Sequence, residues 1–274
     1  MIRTHRINLL ATLVSATLWS SQALADETAP PGDFTLSGNV SAVSQYRARG
    51  IAQSDNKPAV QATLTLSHKS GFYVTAWGST TKTGDGPIDL GGSEVDLFAG
   101  FTHEIGTTGL VIDTGFYGFI YPDASPADYY EIYGSLTKTL GPASAKIGIA
   151  WAPPQKVFDQ SWNSPTRHNA YIYADLGSGV PGTPITLHAH LGHNGGGLNY
   201  AKPYLDYAVG ATWKWQRFSL DASLVGTNIS HADVTQAFWP RYAGLGRCTA
   251  ASACTDWFHR MVKTAPVVSL SYGF

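Results

Sequence analysis

From residue 34 onward, apolar and polar side chains alternate in segments of about ten residues, the pattern expected of half-buried or membrane-spanning strands. Between residues 34 and 46, Phe34, Leu36, Val40, Ala42 and Tyr46 share one parity, whereas Thr35, Ser37, Asn39 and Gln45 occupy the other. The dyad returns in Val60, Ala62, Leu64 and Leu66 against Gln61, Thr63, Thr65 and Ser67, and again in Phe72, Val74 and Ala76 against Tyr73, Thr75 and Trp77. Residues 68–71, His-Lys-Ser-Gly, read as a tight turn between them. Further segments at 94–103, 110–121, 129–138, 143–151, 169–176, 185–193, 204–213, 218–227 and 262–274 bring the predicted strands to twelve.

The connections alternate in length. Short ones fall at 68–71, 104–109, 139–142, 177–184 and 214–217, and longer ones at 48–58, 81–93, 122–128, 152–168, 194–203 and 228–261. A sandwich has no reason to alternate in this way, whereas a membrane barrel has short periplasmic turns and long outer loops. The expected fold is therefore all-β, a transmembrane antiparallel up-and-down barrel of about 12 strands occupying residues 26–274, with its first and last strands adjacent. Aromatic side chains at the strand ends agree with this topology. Phe34, Phe72, Phe101, Trp213, Phe218, Tyr272 and Phe274 fall on the apolar parity at the periplasmic end, and Tyr46, Tyr130 and Trp151 at the outer end, as interfacial girdles require.

The first residues change the compartment. Arg3 and Arg6 precede an apolar stretch from Ile7 to Trp19, and Ala23-Leu24-Ala25 has the small-x-small form of a cleavage site, so residues 1–25 are expected to be a removed signal peptide. Export makes a disulfide between Cys248 and Cys254 the expected state of the two cysteines. Composition fits the barrel: 14% of residues are charged and 12% aromatic, yet the mean hydropathy is only −0.08, since lipid-facing and water-facing parities cancel. So many aromatic residues argue against disorder. The near-neutral formal charge of −1 argues against nucleic acid as a partner.

The last segment, Val268-Ser-Leu270-Ser-Tyr272-Gly-Phe274, carries apolar residues at every second position and ends on an aromatic. It resembles the terminal strand by which the barrel assembly machinery recognises bacterial outer-membrane proteins. A wider resemblance rests on Ser44-Gln-Tyr-Arg-Ala-Arg-Gly-Ile-Ala-Gln-Ser54, Lys57-Pro-Ala-Val-Gln61, Gly71-Phe-Tyr, Ala76-Trp-Gly-Ser79, Ser93-Glu-Val-Asp-Leu-Phe-Ala-Gly100, Tyr121-Pro122 and Glu131-Ile-Tyr-Gly134. By these the chain resembles the TorF-type porin family of Gram-negative bacteria. Gln45 and Ala48 depart from the aspartate and the aromatic of that pattern. The resemblance implies an outer-membrane barrel surrounded by lipid and a pore; the solutes expected of it are small polar molecules or ions, and no cofactor is expected.

Turning the apolar parity toward lipid aims Glu94, Asp96, Asp113, Glu131, Asp175, Asp206 and Asp221 into the lumen, against Arg47, Lys146 and Lys263, with His188 and His190 beside them. Two readings follow: an acidic pore that concentrates cations, or a polar network that fills a closed interior. Arg47 and Arg49 are placed to pair with Glu94 or Glu131 across the mouth. His188, His190 and His193 form His-x-His-x-x-His, but His193 has the opposite strand parity, which disfavours a metal site. Asn194-Gly-Gly-Gly197 reads as a loop tip. A lipid-modifying enzyme on such a barrel would need Ser and His together near the outer leaflet, whereas His68 and His103 map to the periplasmic end. A structural or adhesive barrel is the remaining alternative, with Phe238, Trp239, Tyr242 and Trp257 of loop 228–261 binding a partner or plugging the mouth. The leading expectation is a weakly cation-preferring diffusion channel in the outer membrane, with no catalytic residue.

Overall fold

Strands with one apolar and one polar face satisfy both in a bilayer only when the sheet closes on itself with the apolar face outward. The computed structural model, which describes residues 32–82, 90–160, 167–199, 201–242 and 251–274, shows this closure. Its strands are β1 (Phe34–Val43), β2 (Arg47–Ala48), β3 (Ile51–Ala52), β4 (Ala59–His68), β5 (Phe72–Thr80), β6 (Ser93–Glu104), β7 (Leu110–Ile120), β8 (Tyr129–Leu140), β9 (Ala143–Ala152), β10 (Asn169–Gly179), β11 (Ile185–Gly196), β12 (Tyr204–Trp215), β13 (Phe218–Thr227) and β14 (Ala265–Gly273). Two helices, α1 (His231–Tyr242) and α2 (Ala251–Val262), lie between β13 and β14. Among the described residues twelve strands form the barrel, each antiparallel to its neighbours, and β1 closes the ring on β14 with Val40 opposite Tyr272. Strands β2 and β3 pair only with each other.

The ladder register aligns the outer parity into continuous rows. Leu36, Leu66, Val74, Ala99, Phe116, Ile132 and Trp151 are successive partners from β1 through β4 to β9, and all face outward. Burial is inverted relative to a water-soluble domain: Leu140 is 67% exposed, whereas Glu94 and Glu131 inside are 1% exposed. Phe34, Phe72, Trp213, Phe218, Tyr272 and Phe274 are exposed at the short-turn end, and Tyr130 and Trp151 toward the long-loop end. Val268 and Leu270, with Tyr272 and Phe274, likewise lie on the outer face of the closing strand.

Three local expectations are corrected. Tyr46 is not a girdle residue, because β1 ends at Val43 and the chain turns inward; its ring is buried against Trp77, with centroids 5.3 Å apart. Loop 48–58 contains the β2–β3 hairpin, whose two-residue turn Arg49-Gly50 has positive φ at both positions, 48° and 78°. This is the twist that two-residue hairpins favour, and a Cβ on Gly50 would stand 2.6 Å from the Gly226 carbonyl oxygen. Segment 194–203 is not a loop from its start, since Asn194, Gly195 and Gly196 pair with Tyr171, Ala170 and Asn169 at the end of β11.

Segment 228–261 is largely helical. Ser230 and Asp233 cap α1 reciprocally: the Ser230 backbone N–H donates to Asp233 Oδ2 at 2.8 Å, and the Asp233 N–H donates to Ser230 Oγ at 3.2 Å. In α2 the buried residues Cys254, Trp257, Phe258, Met261 and Val262 recur at helical spacing. They pack with Ile51 and Ala52 of the hairpin, Tyr204, Ile229, Val234 and Ala237 into one apolar cluster. The aromatic residues expected to act from this segment divide: Trp257 joins the cluster, and the side chains of Phe238, Trp239 and Tyr242 lie outside the described residues, as do Cys248 and residues 1–25.

Candidate functional site

Strand parity turns ten of the expected lumen residues inward, and the register sorts them into two polar sets. Tyrosines serve the acids of β6 and β7. Tyr121 donates to Glu94 Oε1 at 3.1 Å, Tyr117 to Asp96 Oδ2 at 2.9 Å and Tyr73 to Asp113 Oδ1 at 2.8 Å, with Tyr133 also bonded to Tyr73. Histidines serve the acids of β10, β12 and β13. His190 meets Asp175 through Nδ1 at 2.6 Å and Asp206 through Nε2 at 3.0 Å; Tyr171 donates to Asp206 at 2.9 Å. His188 Nε2 lies 2.7 Å from Asp221, which also accepts from Thr212 at 2.7 Å and Ser223 at 2.6 Å. Lys146 faces Asp175 across the β9–β10 ladder, its Nζ 5.6 Å from the Tyr173 ring.

The interior is thus both acidic and aromatic. Tyr46, Trp77, Phe98, Tyr117, Phe119, Tyr121, Tyr133, Tyr171 and Tyr173 belong to one buried cluster. Burying ionised carboxylates is costly unless their oxygens are met by donors or cations. Among the described residues Glu131 Oε1 and Asp206 Oδ2 are buried without a hydrogen-bond partner, so the wall has acceptor capacity to spare.

The two arginines of the hairpin do different work. Arg49 fulfils the expected pairing across the mouth: its Nη2 lies 2.5 Å from Glu131 Oε2, Nη1 lies 3.5 Å from Asn194 Oδ1, and the guanidinium sits 4.3 Å from the centroid of Tyr171. Arg47 is a correction. It meets neither Glu94 nor Glu131, but donates to the carbonyls of Met261 at 3.2 Å and Lys263 at 3.0 Å, to Gly50 O at 2.7 Å, to Gln45 Oε1 at 2.8 Å and to Asn56 Oδ1 at 2.9 Å. The carbonyls left open at a helix C-terminus attract a cation, and those of α2 capture this one. Burial lowers the Arg47 guanidinium to about 10, so it remains charged at neutral pH. Lys263 is exposed at the rim and is not a lumen residue.

The hairpin therefore spans the tube. It leaves from the β1–β4 wall, yet Arg49 is held by β8, β10 and β11, which lie across the ring. A family model described as "Bacterial protein of unknown function (Gcw_chp)" matches residues 27–252. The chain belongs to this family. Among curated proteins no sequence matches it. Of solved structures, the KdgM porin in complex with disordered oligogalacturonate is similar, at 9% identity and a TM-score of 0.52, over 87% of this chain and 99% of that one. The NanC porin gives 9% identity and a TM-score of 0.51 over the same shares of the two chains. The COG4313 outer membrane channel from Pseudomonas putida F1 gives 12% identity and a TM-score of 0.48, over 92% and 99%. At these identities the likeness to the KdgM and NanC barrels is one of fold alone.

For this family member the geometry also addresses the rival chemistries. Among the described residues no group of three or more His, Cys, Asp or Glu is arranged to hold a metal ion. His188 and His190 are bonded to carboxylates inside, and His193 points outward. His193, whose parity is opposite to that of His188 and His190, is an exterior histidine near the long-loop end that the expectation naming only His68 and His103 leaves out; its ladder partners are Ile172 and Leu205, which offer no nucleophile. His68 does contact Ser70 Oγ at 2.7 Å, but within a turn at the short-turn end. Cys254 is buried in α2, and the disulfide expected between it and Cys248 involves a residue outside those described.

Proposed function

We propose that the protein is an outer-membrane channel for passive diffusion of small polar solutes or ions, cation-preferring through its acidic lumen. The observation that carries this reading is the charge of the inner wall. Glu94, Asp96, Asp113, Glu131, Asp175, Asp206 and Asp221 project inward from six strands, against Lys146 on the wall and Arg49 of the hairpin. A low-dielectric tube lined this way focuses a negative potential, raises the local cation concentration and repels anions. The resemblance to TorF-type porins supports the same activity. Export by a cleaved signal peptide at residues 1–25, insertion among outer-membrane lipids and assembly through Val268, Leu270, Tyr272 and Phe274 by the barrel assembly machinery complete the proposal, with no enzymatic role and no cofactor.

Planar-bilayer recording of refolded protein tests it. Discrete conductance steps are expected, with a reversal potential under a salt gradient that favours cations and moves toward zero in an Asp96→Asn/Asp113→Asn variant. Absence of steps above a detergent control would favour a second reading, a structural or adhesive barrel with a closed mouth. One observation supports that alternative: α2 and the hairpin pack Phe258, Met261 and Val262 against Ile51, Ala52 and Tyr204.

A further inference from the structure

The contacts of Arg49 describe a receptor for a guanidinium group. Glu131 supplies a carboxylate at 2.5 Å, Tyr171 an aromatic face at 4.3 Å and Asn194 an amide oxygen at 3.5 Å, and all three belong to the wall opposite the loop that carries the arginine. These are the elements that distinguish guanidinium from ammonium: a planar cation stacks on a ring and directs its N–H groups in the ring plane toward carboxylate and amide oxygens. Arg49 fills this receptor incompletely. Among the described residues Glu131 Oε1 is buried and without a hydrogen-bond partner, so the receptor has an acceptor that the tethered side chain leaves unused. The tether is also constrained, because Arg49 reaches the wall from the first position of a two-residue turn at φ 48°, a conformation that residues other than glycine seldom adopt.

We infer that Glu131, Tyr171 and Asn194 form a binding site for the guanidinium group of a small cationic solute, and that Arg49 is a tethered occupant which such a solute displaces, releasing the hairpin from the far wall. The inference names a solute class for the proposed channel and rests on that reading only for the consequence of release. Binding itself does not require conduction. Methylguanidinium is the minimal probe, and methylammonium, with the same charge but no planar fork, is its control.

The experiment uses the full refolded barrel as wild type, Arg49→Ala, Arg49→Lys and Arg49→Ala/Glu131→Gln, with heat-modifiable gel mobility reporting that each is folded. Thermal unfolding in millimolar methylguanidinium should stabilise Arg49→Ala and Arg49→Lys. The preference over methylammonium at equal ionic strength should be about tenfold in affinity, because only the planar fork can stack on Tyr171 while directing in-plane N–H groups to Glu131 and Asn194. The double variant should lose the response. Wild type should require higher probe concentrations, because the tethered Arg49 competes at high effective concentration. Equal response of the Arg49→Ala and Arg49→Lys proteins to both cations, or none to either, would overturn the site. In bilayers, wild-type conductance should rise with methylguanidinium toward the level that Arg49→Ala shows without it. Wild-type steps equal to those of Arg49→Ala and unaffected by methylguanidinium would overturn displacement. Selective stabilisation without conductance in any variant would uphold the site and overturn the channel reading instead.

Discussion

Inside the tube, single atoms decide what fits. Gly192 faces the lumen on β11, where a Cβ would collide with the Tyr171 hydroxyl and stand 2.6 Å from Asp206 Oδ2. Gly192→Ala is therefore expected to push Tyr171 off Asp206 and destabilise the barrel by about 1–3 kcal/mol, the usual cost of overpacking a filled interior. Urea unfolding followed by gel mobility measures this, and wild-type stability in the variant would mean that the ring has room to move. Much at this scale was legible beforehand. Glu94, Asp96, Asp113 and Glu131 point inward because strand parity leaves them no other direction. The partner of Arg49 was foreseeable only as one of two acids, since its receptor residues are 82, 122 and 145 positions away and their convergence depends on barrel curvature. Tyr73, on the polar parity, was visible as an inward side chain but not as the donor to Asp113.

Elements that depart from the strand pattern were harder to read, although they left marks. Ser230-His-Ala-Asp233 is a capping-box spacing, and Cys254, Trp257, Phe258, Met261 and Val262 recur with helical period, signals submerged in a segment expected to be one long loop. The β2–β3 hairpin left only Arg49-Gly50, a weak turn signature between two-residue strands. The capping acid of α1 gives this element a pH dependence. Asp233 is held down to about 2, chiefly by Lys202 at 2.6 Å and then by Ser230. A depressed carboxyl contributes stability above its unfolded value of about 4 and loses that contribution as pH falls through the folded value. The Asp233 carboxyl carbon should accordingly titrate below about 3 by NMR, and Lys202→Ala should return it toward about 4. An unchanged midpoint in that variant would show that Ser230 alone sets it.

For the whole molecule, alternation carried most of the architecture. Twelve strands, their antiparallel order and the β1–β14 closure follow from parity and loop length, because a strand with unlike faces has few ways to sit in a bilayer. Orientation is the part that parity leaves to experiment. An epitope inserted at Lys156, exposed in the long-loop region, should bind antibody on intact cells, whereas one at Ser70, exposed in a short turn, should bind only after permeabilisation. The reverse pattern would invert the barrel.

The lumen-spanning hairpin also orders events in time. Its own residues lie early in the chain, at 47–52, but Arg49 needs β8, β10 and β11 in place, and Arg47 needs the carbonyls that end α2, just before the closing strand. Contacts so distant along the chain are the slow ones to form. The hairpin therefore has its full set of partners only once the chain has been made through the end of α2. The first loop of the barrel in chain order is thus among the last to have all its partners available.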